Sequence, residues 1–240
     1  MKKIKFIHVG LGSYSFQRLE ILKKNKNFQL VGIVDKNREH LKKLNKLEKK
    51  IFFRSISQAK KKVDAEVCFI YVSATQHAKL VMESLKNNLH TFCVKPLALN
   101  LKDFKSIIKL KKKNKLVLVQ GQNNQWNDAS LEMKRIINNK KLFGKFKLGY
   151  CIIWGRQVLL SKNARVDTKI DGSFFHSMAC HQLGQLVSCM GLPKNVYCKS
   201  SPGGLGKIGY NKTPRTSSGN IIFDYGDGRY FNYIGNRSGH

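Results

Sequence analysis

Ile4-Lys-Phe-Ile-His-Val9-Gly10-Leu-Gly12-Ser-Tyr-Ser15 is followed, after a basic segment, by Phe28-Gln-Leu-Val-Gly-Ile-Val34-Asp35; these two stretches decide the fold. Residues 4–9 and 28–34 are short apolar runs of strand type, and residues 15–26 between them read as a helix with Leu19 and Leu22 on one face. Strand, glycine turn, helix, strand and acid in about thirty residues is the βαβ unit that holds a dinucleotide. Gly10 permits the tight turn, and Gly12 lets the backbone approach a pyrophosphate. The amides at the start of the following helix, from Ser13 on, then face the phosphates. Ser15 replaces the third glycine of the pattern and is still small. Asp35 is placed to accept hydrogen bonds from the adenosine ribose, which slightly favours NAD. Lys36 and Arg38 follow at once and are able to accommodate a 2′-phosphate, so NADP stays open.

Outward from this unit the alternation continues. A basic helix is expected over 38–50, with Leu41, Leu44 and Leu47 spaced in threes. Val67 to Val72 is a continuous apolar run, as a parallel strand buried on both faces requires. A helix from His77 to Asn87, a strand at 89–94, a helix at 101–113 and a strand at 116–119 complete a doubly wound parallel sheet, a Rossmann domain over residues 1–121. Lys95 stands just past the carboxyl end of a strand, where open α/β sheets bind ligands. A cation there reaches both a cofactor and a substrate hydroxyl; in a chain this rich in lysine, the same residue taken alone reads as surface charge.

The texture changes after residue 121. A helix at 128–139, a strand at 145–154 ending on Trp154, and a helix from 174 to 190 are expected. Two alternating segments, 219–225 and 229–234, flank Gly226-Asp227-Gly228, a hairpin signal. Residues 122–240 therefore read as an α+β domain with an open, mostly antiparallel sheet, serving substrate binding and oligomerisation. Because the sequence stops shortly after the last of these strands, the sheet is expected to be incomplete there, with an open edge at 229–234.

Composition narrows the function classes. With 45 Lys and Arg against 14 Asp and Glu, the formal net charge is +31. The lysines are spread along the chain among Asn, Ile and Leu, as drift in an AT-rich genome would leave them, and no helix-turn-helix, zinc finger or aromatic-basic RNA signature accompanies them. Solvated surface charge is the leading account, ahead of an anionic small substrate or a polyanion, and no specific nucleic acid is expected. The cysteines at 68, 93, 151, 180, 189 and 198 form no Cys-x-x-Cys pair, which gives no metal site and fits a reducing cytoplasm. No apolar stretch is long enough for a membrane span.

Four segments, in order, carry a resemblance. His90-Thr-Phe-Cys-Val-Lys95-Pro96-Leu-Ala resembles the Glu-Lys-Pro motif of the glucose–fructose oxidoreductase, inositol 2-dehydrogenase and rhizopine catabolism family (Gfo/Idh/MocA). Val72-Ser73-Ala-Thr-Gln-His77 resembles that family's loop and helix start, Gln120-Gly-Gln-Asn-Asn-Gln125-Trp126-Asn127 its crossover, and Asp171 to Gly184 its glycine-rich helix start. The resemblance implies Lys95 and His181 as catalytic residues, with Ser177 in the position of an acid or amide. It adds Ser73, His77 and Lys95 to the cofactor contacts, and Gln125 to the substrate contacts. Trp154 and Arg156 are placed to stack on a sugar and pair with its anionic group. His176 is off the motif's register and reads as either structural or substrate-facing. Val94 stands where the family has Glu, Gln125 where it often has Arg, and Gly184 where it often has Asp.

The expected activity is NAD- or NADP-dependent hydride transfer at a hydroxyl of a sugar, cyclitol or nucleotide-sugar, with His181 taking the proton and Lys95 steadying the developing alkoxide. The full-length form is expected to be a homo-oligomer through its second-domain sheet. The competing readings are a relative that binds cofactor with little turnover, and a polyanion-binding protein.

Overall fold

The computed structural model describes residues 2–154, 179–202 and 216–236. The chain divides into two compact units, Met1–Gly121 and Gln122–His240.

The first unit is a six-stranded parallel sheet. Its strands are β1 (Ile4–Val9), β2 (Phe28–Val34), β3 (Phe52–Phe53), β4 (Val67–Ile70), β5 (His90–Val94) and β6 (Leu118–Gly121), in the order β3-β2-β1-β4-β5-β6. The chain winds outward from β1 to β3, then returns to β4 and winds the other way. The order therefore reverses beside β1, and the carboxyl ends of β1 and β4 flank the crevice where such sheets bind ligands. Both faces of β1 are covered: Ile7 and Val9 join one core with Cys68, Ile70, Val81 and Leu85, while Phe6 joins another with Leu11, Leu19, Ile33 and Phe69. On that second face Phe6, Phe28 and Phe69 meet edge to face, with centroids 5.4–5.9 Å apart. Such contacts add to plain area burial.

Helix α1 (Ser13–Lys24) follows the glycine turn. The single basic helix expected over 38–50 is broken into a 3-10 turn, Arg38–Lys43, and a short helix α2, Lys46–Lys50. Asn45 causes the break. Its side chain accepts from the amides of Leu47 and Glu48, and Glu48 reaches back to the Asn45 amide, a reciprocal cap that starts a new helix. Strand β3 and the short helix α3 (Ile56–Lys60) carry too little periodicity to be visible in the sequence. Helix α4 (Ala74–Lys86) begins earlier than expected, with Ser73 as its N-cap, and α5 (Leu101–Lys113) is capped by Asn100.

In the second unit, α6 (Asp128–Asn138), α7 (Lys140–Phe143) and α8 (Cys180–Met190) accompany four strands: β7 (Leu148–Trp154), β8 (Asn195–Pro202), β9 (Thr216–Asp224) and β10 (Tyr230–Asn236). The sheet order is β7-β10-β9-β8. β9 and β10 form the expected antiparallel hairpin, with Gly226 and Gly228 at positive φ. The open edge expected at 229–234 is corrected: β10 is an inner strand, antiparallel to β9 on one side and parallel to β7 on the other. The edges among the described strands are β7 and β8. Strand alternation sends Ile221, Phe223 and Tyr233 into a core with Leu186, Cys189 and Met190 of α8. It leaves Leu148, Tyr150, Ile152, Tyr230, Ile222 and Ile234 exposed on the opposite face.

Candidate functional site

The glycine turn is the best-defined part of the site. Gly10 sits at φ +102°, and a Cβ there would run into the carbonyl oxygen of Tyr71, so glycine is required twice over. Gly12 has φ −59° and ψ 164°, open to any residue, so the fold itself does not demand glycine there. What glycine at 12 provides is a bare backbone at the mouth of α1, whose first-turn amides have no intrahelical partner. Ser13 is exposed at this helix start.

Ser15, expected among the cofactor contacts, is instead 2% exposed. Its hydroxyl donates to the Gly10 carbonyl at 2.5 Å and accepts from His8 Nε2 at 2.9 Å. A hydroxyl has one proton, so His8 must carry its own on Nε2. His8 Nδ1 is then a bare acceptor, buried with no hydrogen-bond partner in the described structure. The ring stacks on Tyr71 with centroids 5.2 Å apart, and burial pushes its pKa down to about 4. A neutral histidine thus braces the turn from beneath. Nothing in the sequence singled it out, because a histidine inside an apolar strand carries no local signature.

Asp35, at the end of β2, closes the turn from above. Its Oδ2 accepts from the Leu11 amide at 2.7 Å and faces His40 Nδ1 at 2.8 Å, while Oδ1 accepts from the Asn37 amide at 2.8 Å. Lys43 donates to the Leu11 carbonyl at 2.7 Å. Both polar ends of the Leu11 peptide are therefore held from β2 and the 3-10 turn. Sequence reasoning missed His40 and Lys43, which lie in what looked like a plain basic helix. Lys36 and Arg38 are exposed beside them. Arg38 also lines a cavity of about 330 Å³ with Lys49, Arg54, Phe52 and Phe53.

Lys95 follows the last residue of β5, and its peptide bond to Pro96 is cis. The loop after it is fixed by the Leu97 amide, which donates to Gln120 Oε1 at 3.2 Å, and by His77. His77 was expected to touch cofactor; it is 1% exposed, with Nδ1 2.6 Å from the Pro96 carbonyl and Nε2 3.0 Å from the Val72 carbonyl. One nitrogen faces the loop after β5 and the other the loop after β4, so the ring bridges the two loops beside Lys95. Ser73, half-buried, occupies the N-cap position of α4 in the same loop without a side-chain capping bond.

In the second unit, Gln125 lies half-buried in a 3-10 turn, Asn123–Trp126. His181 is half-buried at the second position of α8. Gly184 lies against the Gln122 amide group, which a Cβ at this position would push aside. Gln185, one residue on, donates to Ser130 Oγ at 2.5 Å, and Ser130 in turn donates to the Asn124 carbonyl at 2.6 Å. Trp154 ends β7. Arg156, His176 and Ser177 lie outside the described residues.

A dinucleotide fits this first unit on the structure's own terms. The positive-φ glycine, the side-chain-free approach at Gly12 and the uncapped start of α1 form a cradle for a pyrophosphate, closed by a carboxylate at the ribose end. The fold and the turn together define a dinucleotide-binding oxidoreductase fold. Residues 4–122 match the oxidoreductase family with an NAD-binding Rossmann fold named for Gfo, Idh and MocA.

The chain is 26% identical over 132 residues to myo-inositol 2-dehydrogenase of Thermotoga maritima, a match covering 55% of this chain and 40% of that relative. The match thus spans well under two thirds of the relative's length. Among solved structures, the chain resembles the WlbA dehydrogenase of Bordetella pertussis in complex with NADH and UDP-GlcNAcA, with a TM-score of 0.83 at 21% identity. That likeness covers 100% of this chain and 68% of the other. It also resembles myo-inositol 2-dehydrogenase of Lactobacillus plantarum, with a TM-score of 0.81 at 17% identity, over 98% of this chain and 70% of that one. No described helix is long and apolar enough to cross a membrane.

Proposed function

We propose that the protein is an NAD(P)-dependent dehydrogenase acting on a secondary hydroxyl of a sugar, cyclitol or nucleotide-sugar. The observation that carries this is the clasp around Leu11, which holds the glycine turn open at Gly12 and closed at Asp35. The bound nicotinamide would supply the hydride acceptor or donor. Gly10 and Gly12 would admit the pyrophosphate, Ser13 and its neighbours would give amides to it, and Asp35, Lys36 and Arg38 would meet the adenosine ribose. Lys95, held past the end of β5, would set a positive charge beside the hydroxyl oxygen, and His181 would hold or accept the proton. Gln125, Trp154 and Arg156 are the proposed substrate contacts, and Ser177 and His176 belong to the same segment of the second unit.

The relatives direct the choice of substrates: myo-inositol, and a uridine-diphosphate sugar acid. The test is a fluorescence titration of the folded protein with NADH and NADPH, followed by turnover over a panel of those two classes. Failure to bind either dinucleotide at millimolar concentration overturns the reading.

A second reading rests on Val94, which stands where the family's motif carries Glu. In that reading the protein binds cofactor and turns over little, and the same panel separates the two. A reducing cytoplasm is part of the first reading and rests on cysteine usage. Self-association through the exposed face of the second sheet is also part of it.

A further inference from the structure

We infer that His40 sets the preference between the two dinucleotides; this rests on the proposal above that the glycine turn holds one. An ionised carboxylate offers about four acceptor sites and no donor. In Asp35 three are already in use: two on Oδ2, by the Leu11 amide and His40 Nδ1, and one on Oδ1, by the Asn37 amide. Because a carboxylate only accepts, His40 is the donor, with its proton on Nδ1. The carboxylate is also largely enclosed, with its side chain 11% exposed. A ribose with free 2′ and 3′ hydroxyls brings two donors, and Asp35 has room for one.

His40 therefore competes with the ribose of NADH for the acid that would recognise it. Toward NADPH it acts in the opposite sense. A 2′-phosphate brings negative charge and acceptors only, and a bare Asp35 would repel it. An acid that already accepts from His40 presents less free charge, with Lys36 and Arg38 exposed alongside. Lys43 anchors the turn carrying His40 to the Leu11 carbonyl, so the ring is fixed where it contacts the acid. His40 thus narrows the gap between NADH and NADPH that Asp35 alone would open.

The experiment measures dissociation constants of NADH and NADPH for the whole chain and three variants. Removing the donor in His40→Ala is expected to tighten NADH and weaken NADPH, moving their ratio toward NADH about tenfold, the weight of one charge-assisted hydrogen bond. His40→Asn keeps a donor where Nδ1 stood and is expected to hold the wild-type ratio. His40→Leu, which keeps bulk without a donor, should reproduce the His40→Ala ratio and serves if that variant does not fold. A merely structural role would weaken both dinucleotides together and leave the ratio alone. An unchanged ratio in His40→Ala and His40→Leu, or one moved toward NADPH, overturns the inference. If the wild type binds neither dinucleotide, the cofactor reading falls and takes the inference with it, an outcome distinct from binding with an unaltered ratio.

Discussion

Gly10 and Gly12 look equivalent in the sequence, yet the structure asks different things of them. Gly10 is needed by the fold, since any side chain would meet both a left-handed backbone and the Tyr71 carbonyl. Gly12 lies in an ordinary backbone region, and in the proposed function its missing side chain serves the dinucleotide. Gly12→Val should therefore keep the melting temperature within about 2 °C of wild type, the range of a near-neutral surface change, while abolishing NADH binding. Retained affinity in the folded variant would remove the pyrophosphate from this turn.

His8 gives a second residue-scale test. Its folded pKa is about 4 against an ordinary 6.5, and burial is the main cause. Between these values the unfolded chain binds a proton that the native protein refuses. The His8 contribution is thus complete above about pH 6.5 and lost as the pH falls toward 4. The shift corresponds to a loss on the order of 3 kcal/mol. His8→Phe removes the titrating group, so its stability should fall less than that of wild type between pH 7 and pH 4.5. Parallel curves of unfolding free energy against pH for the two proteins, measured by urea denaturation, would refute the buried neutral histidine.

At the scale of elements, the break between the 3-10 turn and α2 matters more than its length implies. It lets His40 and Lys43 turn toward the glycine loop, which one continuous helix over 38–50 would not do. Asn45 secures it by capping α2, and the capped Glu48 also receives Lys23 of α1 at 2.5 Å. Glu48 is held below its usual pKa by Lys23 and the Asn45 amide, even though burial opposes this. Asn45→Ala is expected to cost about 1 kcal/mol in urea unfolding, the ordinary price of a lost N-cap. A value near zero would mean that packing of the buried Leu44 alone sets the break. The β7–β10 pairing is the comparable feature of the second unit, because it moves the hairpin from the sheet edge to its interior.

For the whole molecule, the open question is what covers the outer face of the second sheet. Leu148, Tyr150 and Ile152 of β7 are 64%, 73% and 53% exposed, and Tyr230 and Ile234 of β10 stand beside them in register. A contiguous apolar face of this kind marks an interaction surface. If it pairs two copies, Tyr150→Lys with Ile152→Lys places like charges across the interface and should convert an oligomer into a monomer in sedimentation velocity. The NADH affinity of the first unit should be unchanged. A wild-type protein that sediments as a monomer at tens of micromolar would discard self-association through this face.

The first unit's character can be read along the chain, because its information is local. An apolar run, Gly10, Gly12, a helix and Asp35 specify a βαβ turn within one stretch of chain, and the hairpin at Gly226 to Gly228 is local in the same way. The position of Lys95 just past a strand end was legible from the same alternation, whereas the helix expected to start at His77 starts at Ala74. What those side chains touch depends on the folded chain. His77 is turned inward to the Pro96 carbonyl of another loop, Ser15 to the Gly10 carbonyl of its own turn, and Asp35 is taken up by Leu11 and His40. Gly184 meets Gln122, more than sixty residues away in sequence. β7 and β10, likewise far apart, become neighbours through a parallel pairing that no local pattern encodes. Periodicity records which way a residue faces; which polar group it meets there depends on chain segments that only folding brings together.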